Sequence, residues 1–301
     1  MKKYRVGLIG ASGLVSHELK NLIAQKNLPW TLSLAGREAT AHQFKGCDWV
    51  FFCAPSSASK TLTPALLKEG IKVIDLSSAF RMKSDVPLII PEINGDLLKK
   101  DPLLIASPNC TTTLLLMALY PWQNLGTFKK VVVATYQAVS GGGRKKVDAL
   151  INAPSTETLD LMPHESPLNP TGENEEEEKI RREAQKILEI PTLNVVATCI
   201  RVPILRAHSL ALHVTFDREI PLTALRAAID AFPGITYVED RPLTPQYAQY
   251  KGDVFCARLR QAPQDPKSIL LWIVGDQLLK GAALNALQIA ETICTNPLQI
   301  V

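Results

Sequence analysis

Gly7-Leu8-Ile9-Gly10-Ala11-Ser12-Gly13-Leu14-Val15-Ser16 is the stretch whose reading decides the fold. An apolar segment, Arg5–Ile9, enters a glycine loop, and a helical pattern over Leu14–Gln25 leaves it. Strand, glycine turn and helix N-terminus in that order form a phosphate cradle. Glycines let the backbone approach the anion, and the first helical N–H groups have no partners within the helix. The spacing Gly10-x-x-Gly13-x-x-Ser16 puts serine at the third small position. A lone glycine loop can equally be an ordinary tight turn. Gly10, Ser12, Gly13, Leu14 and Val15 are its candidate cofactor contacts.

Outward from this loop, strand and helix patterns alternate: Trp49–Cys53, Ala58–Lys68, Lys72–Leu76. That alternation predicts an α/β fold with a Rossmann-type, doubly wound parallel sheet. The second strand ends at Leu34-Ala35-Gly36-Arg37, where an acidic residue would accept a ribose 2′-hydroxyl. Arg37 instead suits a 2′-phosphate and points to NADP; a solvated loop arginine is the plainer alternative. Ser56 and Ser57, after the next strand, either cap a helix or touch the cofactor.

Leu103–Ala106 leads through Ser107-Pro108-Asn109 to Cys110 at the entrance of an apolar helix over Thr112–Leu119. Beyond Lys129 the strands lengthen: Val131–Gln137, Asn194–Val202, Leu210–Phe216, Val254–Leu259 and Ile269–Val274. With helices over Glu175–Leu188 and Leu222–Ala231, this half reads as mixed α+β. Asn152–Asn174, rich in Pro, Ser, Thr and Asn, reads as a long loop or small irregular subdomain. A last helix is expected over Leu278–Thr292.

The formal charge of +4 is spread thinly over 301 residues, which argues against nucleic acid and is compatible with a small anionic substrate. Six cysteines lie far apart, with no C-x-x-C pair and no histidine spaced for zinc, so reduced thiols, no metal site and a cytoplasmic location are expected. Val6–Ile9 follows Lys2-Lys3 but is interrupted by glycine and reads as a strand, not a secretion signal. No apolar run approaches the ~20 residues that cross a bilayer, so no membrane is expected.

A cysteine at a helix N-terminus has its thiolate stabilised by unpaired N–H groups, which makes Cys110 a candidate nucleophile; a buried small hydrophobe is the alternative. Of the five histidines, His17 and His42 fall in the nucleotide half, His164 in the irregular stretch and His213 inside a strand. His208, at a turn between long strands, is the best placed acid/base, set against an exposed turn histidine. Gln137 ends a strand that runs into Ser140-Gly141-Gly142-Gly143 and offers a neutral amide to a bound adduct; a plain turn is the alternative.

Taken together, the Gly-Ala-Ser-Gly loop, Ser107-Pro108-Asn109-Cys110-Thr111-Thr112, Thr135-Tyr136-Gln137-Ala138-Val139-Ser140-Gly141, Cys199-Ile200-Arg201-Val202-Pro203 with Ala207-His208-Ser209, and Leu278-Leu279-Lys280-Gly281-Ala282-Ala283 resemble aspartate-semialdehyde dehydrogenase nearly end to end. The resemblance implies an NADP-binding domain, 1–109 with 278–301, and a catalytic and dimerisation domain, 110–277, like that of glyceraldehyde-3-phosphate dehydrogenase. It implies a homodimer that interconverts L-aspartate 4-semialdehyde and 4-phospho-L-aspartate through a thioester, on the route to lysine, methionine and threonine. By position, Cys110 is the nucleophile, Gln137 its orienting partner and His208 the acid/base. Arg201 clamps the substrate carboxylate and Glu176 binds its amino group; Arg81, Asn109 and Lys179 contact phosphate. Ser140, Gly141 and Gln277 join the cofactor contacts, Gln277 standing where an Asn that approaches the nicotinamide is usual.

The chain departs from that family between Arg37 and Cys47 and over Asn152–Asn174, both shorter than expected. N-acetyl-γ-glutamyl-phosphate reductase is the nearest alternative, reminiscent in Gly141-Gly142-Gly143-Arg144. That family flanks its cysteine with Gly and Tyr, where this chain has Asn109 and Thr111. A non-catalytic nucleotide-binding redox sensor has no use for Gln137, Arg201 and His208, and a cysteine hydrolase has none for the glycine loop.

Overall fold

The computed structural model describes residues 3–36, 38–152 and 160–295. The chain divides into two compact units, Met1–Asn109 with Ala282–Val301, and Cys110–Gly281. The sequence reading hands the chain back to the first unit at residue 278. In the structure Leu278–Gly281 stay with the second, because the N–H groups of Leu278, Leu279 and Gly281 all bond back to Asp276.

The first unit is built on a sheet in the order β2-β1-β3-β4-β5: β1 (Tyr4–Ile9), β2 (Trp30–Ala35), β3 (Trp49–Phe52), β4 (Lys72–Asp75) and β5 (Leu104–Ala106). Every pairing is parallel. Period-two alternation sends Val6, Leu8, Trp49, Phe51 and Ile74 into one core and Ile9, Val50, Phe52 and Val73 into another. Both faces are buried, which is why these strands read as continuous apolar runs. Helix α1 (Leu14–Gln25) and the C-terminal α9 (Leu284–Thr295) pack on the first core through Leu19, Ile23, Leu287 and Ile293. Helix α2 (Ser56–Lys68) packs on the second through Leu66, and α3 (Pro91–Asn94) is a single turn. Each such side chain contributes roughly 1.5–3 kcal/mol when fully buried. The order of connection reverses between β1 and β3, and a doubly wound sheet opens a crevice at the carboxyl ends of those strands.

The second unit opens with α4 (Cys110–Leu119), whose residues Thr111–Leu119 are all buried. Then follow β6 (Phe128–Ala138), α5 (Arg144–Asn152), β7 (Met162–Pro163), α6 (Glu175–Ile187), β8 (Val195–Val202), β9 (His208–Phe216), α7 (Leu222–Ala231), β10 (Ile235–Tyr237), α8 (Pro245–Ala248), β11 (Val254–Ala262) and β12 (Asp265–Gly275). The sheet order is β10-β11-β12-β9-β6-β8-β7. Strands β6 and β8 are parallel, while β9 is antiparallel to both β6 and β12. The carboxyl ends of β6, β8 and β12 therefore share one edge with the start of β9. Register sets Gln137 opposite Arg201, and His208 opposite Gly275. Helix α4 comes close to β12 because Gly275 has no side chain: a Cβ there would lie 2.5 Å from Leu114 Cδ2.

Two expectations change. A π-helical turn, Leu279–Ala283, precedes α9, which runs on to Thr295 instead of ending at Thr292. The stretch taken as irregular is ordered at both ends, α5 closing at Asn152 and β7 pairing with Ile200 and Arg201; residues 153–159 lie outside the described set. Among the described residues no helix is long and apolar enough to cross a membrane.

Candidate active site

Cys110 is the first residue of α4, where backbone N–H groups lack intrahelical acceptors. A Cβ on Gly281 would lie 2.8 Å from Cys110 Cβ, so the glycine after the Asp276 turn lets the cysteine seat. Cys110 Sγ lies 3.6 Å from His208 Nε2. His208 is fully buried as the first residue of β9, and not the exposed turn histidine set against it in the sequence reading. Its Nδ1 accepts the Ala138 N–H at 3.0 Å. A neutral ring then carries its proton on Nε2, facing the sulfur. Burial pushes the His208 pKa well below 6.5, and the charges of Arg201 and His164 add to the effect. His208 is therefore neutral at neutral pH.

The turn before His208 is tied down. Ala207, at φ +72°, donates its N–H to Gln277 Oε1 at 2.9 Å. Gln277 Nε2 donates to Ser140 Oγ, which in turn donates to the Leu205 carbonyl. Each end of the Gln277 amide thus has one protein partner within the second unit. Gly141 leaves room beside this cluster: a Cβ there would sit 3.1 Å from His208 Cε1 and 3.4 Å from Arg201 Nη1.

Arg201, buried on β8, donates from Nη1 to the Ala138 carbonyl and from Nη2 to His164 Nε2, each at 2.9 Å. Its buried Nε has no hydrogen-bond partner among the described residues, which marks a place for an acceptor. Burial lowers the Arg201 pKa while Cys110, Glu176 and Cys199 oppose it; a guanidinium keeps its proton regardless. Gln137, 1% exposed, donates from Nε2 toward Thr135 Oγ1 at 3.3 Å and Glu176 Oε1 at 3.5 Å.

The four glutamates that open α6 divide by geometry. Glu177 closes a capping box with Asn174 and accepts the Cys199 N–H at 2.9 Å. Glu175 pairs with Lys179 and Glu178 with Arg182, each at 3.0 Å and partly exposed. Glu176 is the one turned inward, 6% exposed, with Lys179 Nζ 3.8 Å from its Oε2.

In the first unit the glycine loop has the form a dinucleotide phosphate requires. Gly10 has φ +78°, and a Cβ would lie 2.5 Å from the Cys53 carbonyl oxygen, at the β1–β3 crevice. Gly13 caps α1 with no side-chain hydrogen bond, so the N–H groups of the first turn are open to an anion. Ser16, buried, donates to the Gly10 carbonyl at 2.8 Å and braces the loop, which accounts for a serine at the third small position. Ser12 is exposed, and Leu14 and Val15 are half-buried in the first turn. Ser56 Oγ meets Ser78 Oγ at 2.9 Å, and Ser57 is exposed in the first turn of α2. Arg81 is buried, donating from Nε to the Ser107 carbonyl and from Nη2 to the Leu76 carbonyl, each at 2.9 Å; Asn109 is also buried. Arg37 lies outside the described residues.

Two family models match the sequence, semialdehyde dehydrogenase, NAD binding domain, over residues 31–101, and semialdehyde dehydrogenase, dimerisation domain, over residues 119–280. The chain is 38% identical to aspartate-semialdehyde dehydrogenase of Synechocystis sp., over 95% of its own length and 96% of that protein. It is 33% identical to the Aquifex aeolicus enzyme of the same name, over 96% and 97%. The chain belongs to the aspartate-semialdehyde dehydrogenase family. A crystal structure of aspartate semialdehyde dehydrogenase II from Vibrio cholerae in complex with ASA superposes with a TM-score of 0.91 at 27% identity, covering 99% of this chain and 100% of that one. The protein is an oxidoreductase of this type, with a nucleotide-binding domain of the NAD(P) kind.

Four of the cysteines other than Cys110 are held protonated by their surroundings. Burial pushes the Cys53, Cys199 and Cys256 thiols up to about 12 and raises that of Cys47 as well. The second unit brings together Cys110, Gln137, Glu176, Lys179, Arg201 and His208. It also brings in His164, which sequence reasoning set aside with the irregular stretch. No local pattern marks His164, because its place depends on the two-residue pairing of β7 with β8.

Proposed function

We propose that the chain catalyses the NADP- and phosphate-dependent interconversion of L-aspartate 4-semialdehyde and 4-phospho-L-aspartate through a Cys110 thioester. The observation that carries this reading is Cys110 Sγ at 3.6 Å from a His208 whose tautomer is set by the Ala138 N–H. Cys110, as the thiolate that a helix N-terminus favours, adds to the aldehyde carbon, and His208, as acid/base, holds its Nε2 proton against the oxygen that becomes negative. A nicotinamide held by the glycine loop of the first unit would supply the hydride acceptor in this direction and the hydride donor in the other. Phosphate then attacks the thioester carbon and the Cys110 thiolate leaves it, giving the acyl phosphate, a step for which sulfur is better suited than a serine oxygen.

Arg201 pairs with the substrate α-carboxylate, for which its unpartnered Nε–H supports the assignment. Glu176 pairs with the α-amino group and Gln137 orients the adduct. We assign phosphate contacts to Lys179, Arg81 and Asn109. Gly10, Ser12, Gly13, Leu14, Val15, Ser56 and Ser57 hold the dinucleotide, and Ser140, Gly141 and Gln277 keep the cofactor assignment the resemblance gave them. The NADP preference rests on Arg37 in the sequence alone. The enzyme acts as a cytoplasmic homodimer in lysine, methionine and threonine biosynthesis.

The test is formation of reduced nicotinamide from L-aspartate 4-semialdehyde, with NADP and NAD in parallel, on the intact protein and on Cys110→Ala. Activity that requires phosphate, prefers NADP and disappears in Cys110→Ala is expected. Turnover of N-acetylglutamate semialdehyde in its place would overturn the substrate assignment.

A further inference from the structure

We infer that His164 is the positioning residue of Arg201, holding the guanidinium in register with Glu176 so that one scaffold sets both groups that grip the substrate's α-carbon. The inference rests on the reading of Arg201 and Glu176 given above. Its basis is a directional hydrogen-bond chain. Arg201 Nη2 donates to His164 Nε2 at 2.9 Å. Nδ1 lies 3.1 Å from Ser166 Oγ and 3.4 Å from the Ser166 backbone nitrogen; with Nε2 accepting from Arg201, the ring proton of neutral His164 sits on Nδ1 and goes to the nearer hydroxyl oxygen. Ser166 Oγ faces Asn174 Oδ1 at 3.4 Å and accepts the Glu176 N–H at 3.2 Å. Asn174 is the N-cap of α6, the helix that presents Glu176. The chain therefore runs from the guanidinium to the backbone that carries the inward glutamate.

His164 is itself held by backbone. Its N–H donates to the Cys199 carbonyl at 2.8 Å, and the preceding residues Met162 and Pro163 pair with Arg201 and Ile200. The ring thus approaches Arg201 from the neighbouring strand, opposite the Nη1 contact with Ala138. With Nη1 and Nη2 each anchored, the guanidinium plane is fixed and Nε is left toward an acceptor. Pre-set geometry of this kind lowers the ordering cost of gripping a carboxylate.

The arrangement works only with neutral His164, since a protonated ring would turn a second donor on the guanidinium. The charged groups that face it are Arg201 on β8, Glu176 and Lys179 on α6, and Lys146 on α5, the last paired with Glu165. Burial lowers the His164 pKa from 6.5 first; Arg201, Lys146 and Lys179 lower it further, against Glu176, which raises it.

The experiment compares His164→Ala, His164→Gln and Arg201→Ala with the intact enzyme, measuring kcat and KM for L-aspartate 4-semialdehyde between about pH 5.5 and 8, which spans the ordinary imidazole range. We expect Arg201→Ala to raise KM roughly 100-fold, and His164→Ala to raise it roughly 10-fold with kcat within about threefold, the loss of one hydrogen bond to a charged group. His164→Gln, which restores an acceptor, should return KM to within about threefold of the intact value. The intact enzyme's KM should climb as pH falls below the imidazole range, and that climb should be missing in His164→Gln. His164→Gln also takes away a charge that helps depress His208, so the comparison is made on KM, with kcat followed alongside as the readout of His208. If Arg201→Ala raises KM and His164→Ala leaves it unchanged, the inference is overturned while the carboxylate reading stands. If Arg201→Ala leaves KM unchanged, the carboxylate reading itself fails and takes the inference with it. A His164→Gln enzyme as impaired as His164→Ala also overturns it.

Discussion

The glycine loop of the first unit and the strand-end cluster of the second are made from different parts of the chain. Around Gly10 the useful groups belong to the main chain: open N–H groups at the start of α1, with Ser16 bracing the turn. Around Cys110 they are side chains, brought from α4, β6, α6, β8 and β9 by strand register. A main-chain site needs only a short contiguous stretch with glycine where a Cβ cannot fit. A side-chain site needs long-range pairing to be right at every strand. The first asks for glycine at a few positions and one small bracing side chain, Ser16; the second asks for a particular side chain at each position.

Substitutions can break this contrast in either half. Cys110→Ala should lower phosphate-dependent activity roughly 10⁴-fold or more, with NADP affinity unchanged in a fluorescence titration; loss of both would mean the two regions do not act separately. His208→Gln should lower kcat about 10²–10³-fold, measured at saturating substrate. A residual rate near that of the intact enzyme would remove His208 from the chemistry. Gly10→Ala places a Cβ on the Cys53 carbonyl at φ +78°. It should raise the NADP KM about tenfold and cost about 1–3 kcal/mol in urea unfolding, leaving kcat at saturating cofactor nearly intact.

The smallest effect is on stability against pH. His208 is held neutral in the fold, with its pKa well below 6.5, and is freely protonated once unfolded. As pH falls through the unfolded value the unfolded chain binds more protons and stability drops; above it the contribution is fully present. The melting temperature should fall between pH 7 and 5.5 by about 2–4 °C more in the intact protein than in His208→Gln. Equal slopes would place the titrating group elsewhere.

Much of the fold was legible because local pattern decided it. Leu14–Gln25 and Leu222–Ala231 are helices to the residue the periodicity assigns. What was missed depends on partners distant in sequence. Met162 and Pro163 are a strand only because Ile200 and Arg201 lie beside them, and α5 over Arg144–Asn152 has few apolar residues to betray it. Likewise, four adjacent glutamates look alike in sequence. Only the Asn174 capping box, by engaging Glu177, assigns the inward place to Glu176. The role of His164 was invisible for the same reason.

The sharp division among the thiols has a practical consequence for chemical probes. Electrophiles that capture thiolates are slow toward a sulfhydryl held protonated by its surroundings. Cys47, Cys53, Cys199 and Cys256 are held in that state, which leaves Cys110 and Cys294 as the two thiols to test. A covalent fragment library screened by intact mass should saturate at no more than two adducts, and protection by substrate would tell which of them marks the nucleophile. Such a result would let warheads of modest intrinsic reactivity reach the enzyme selectively.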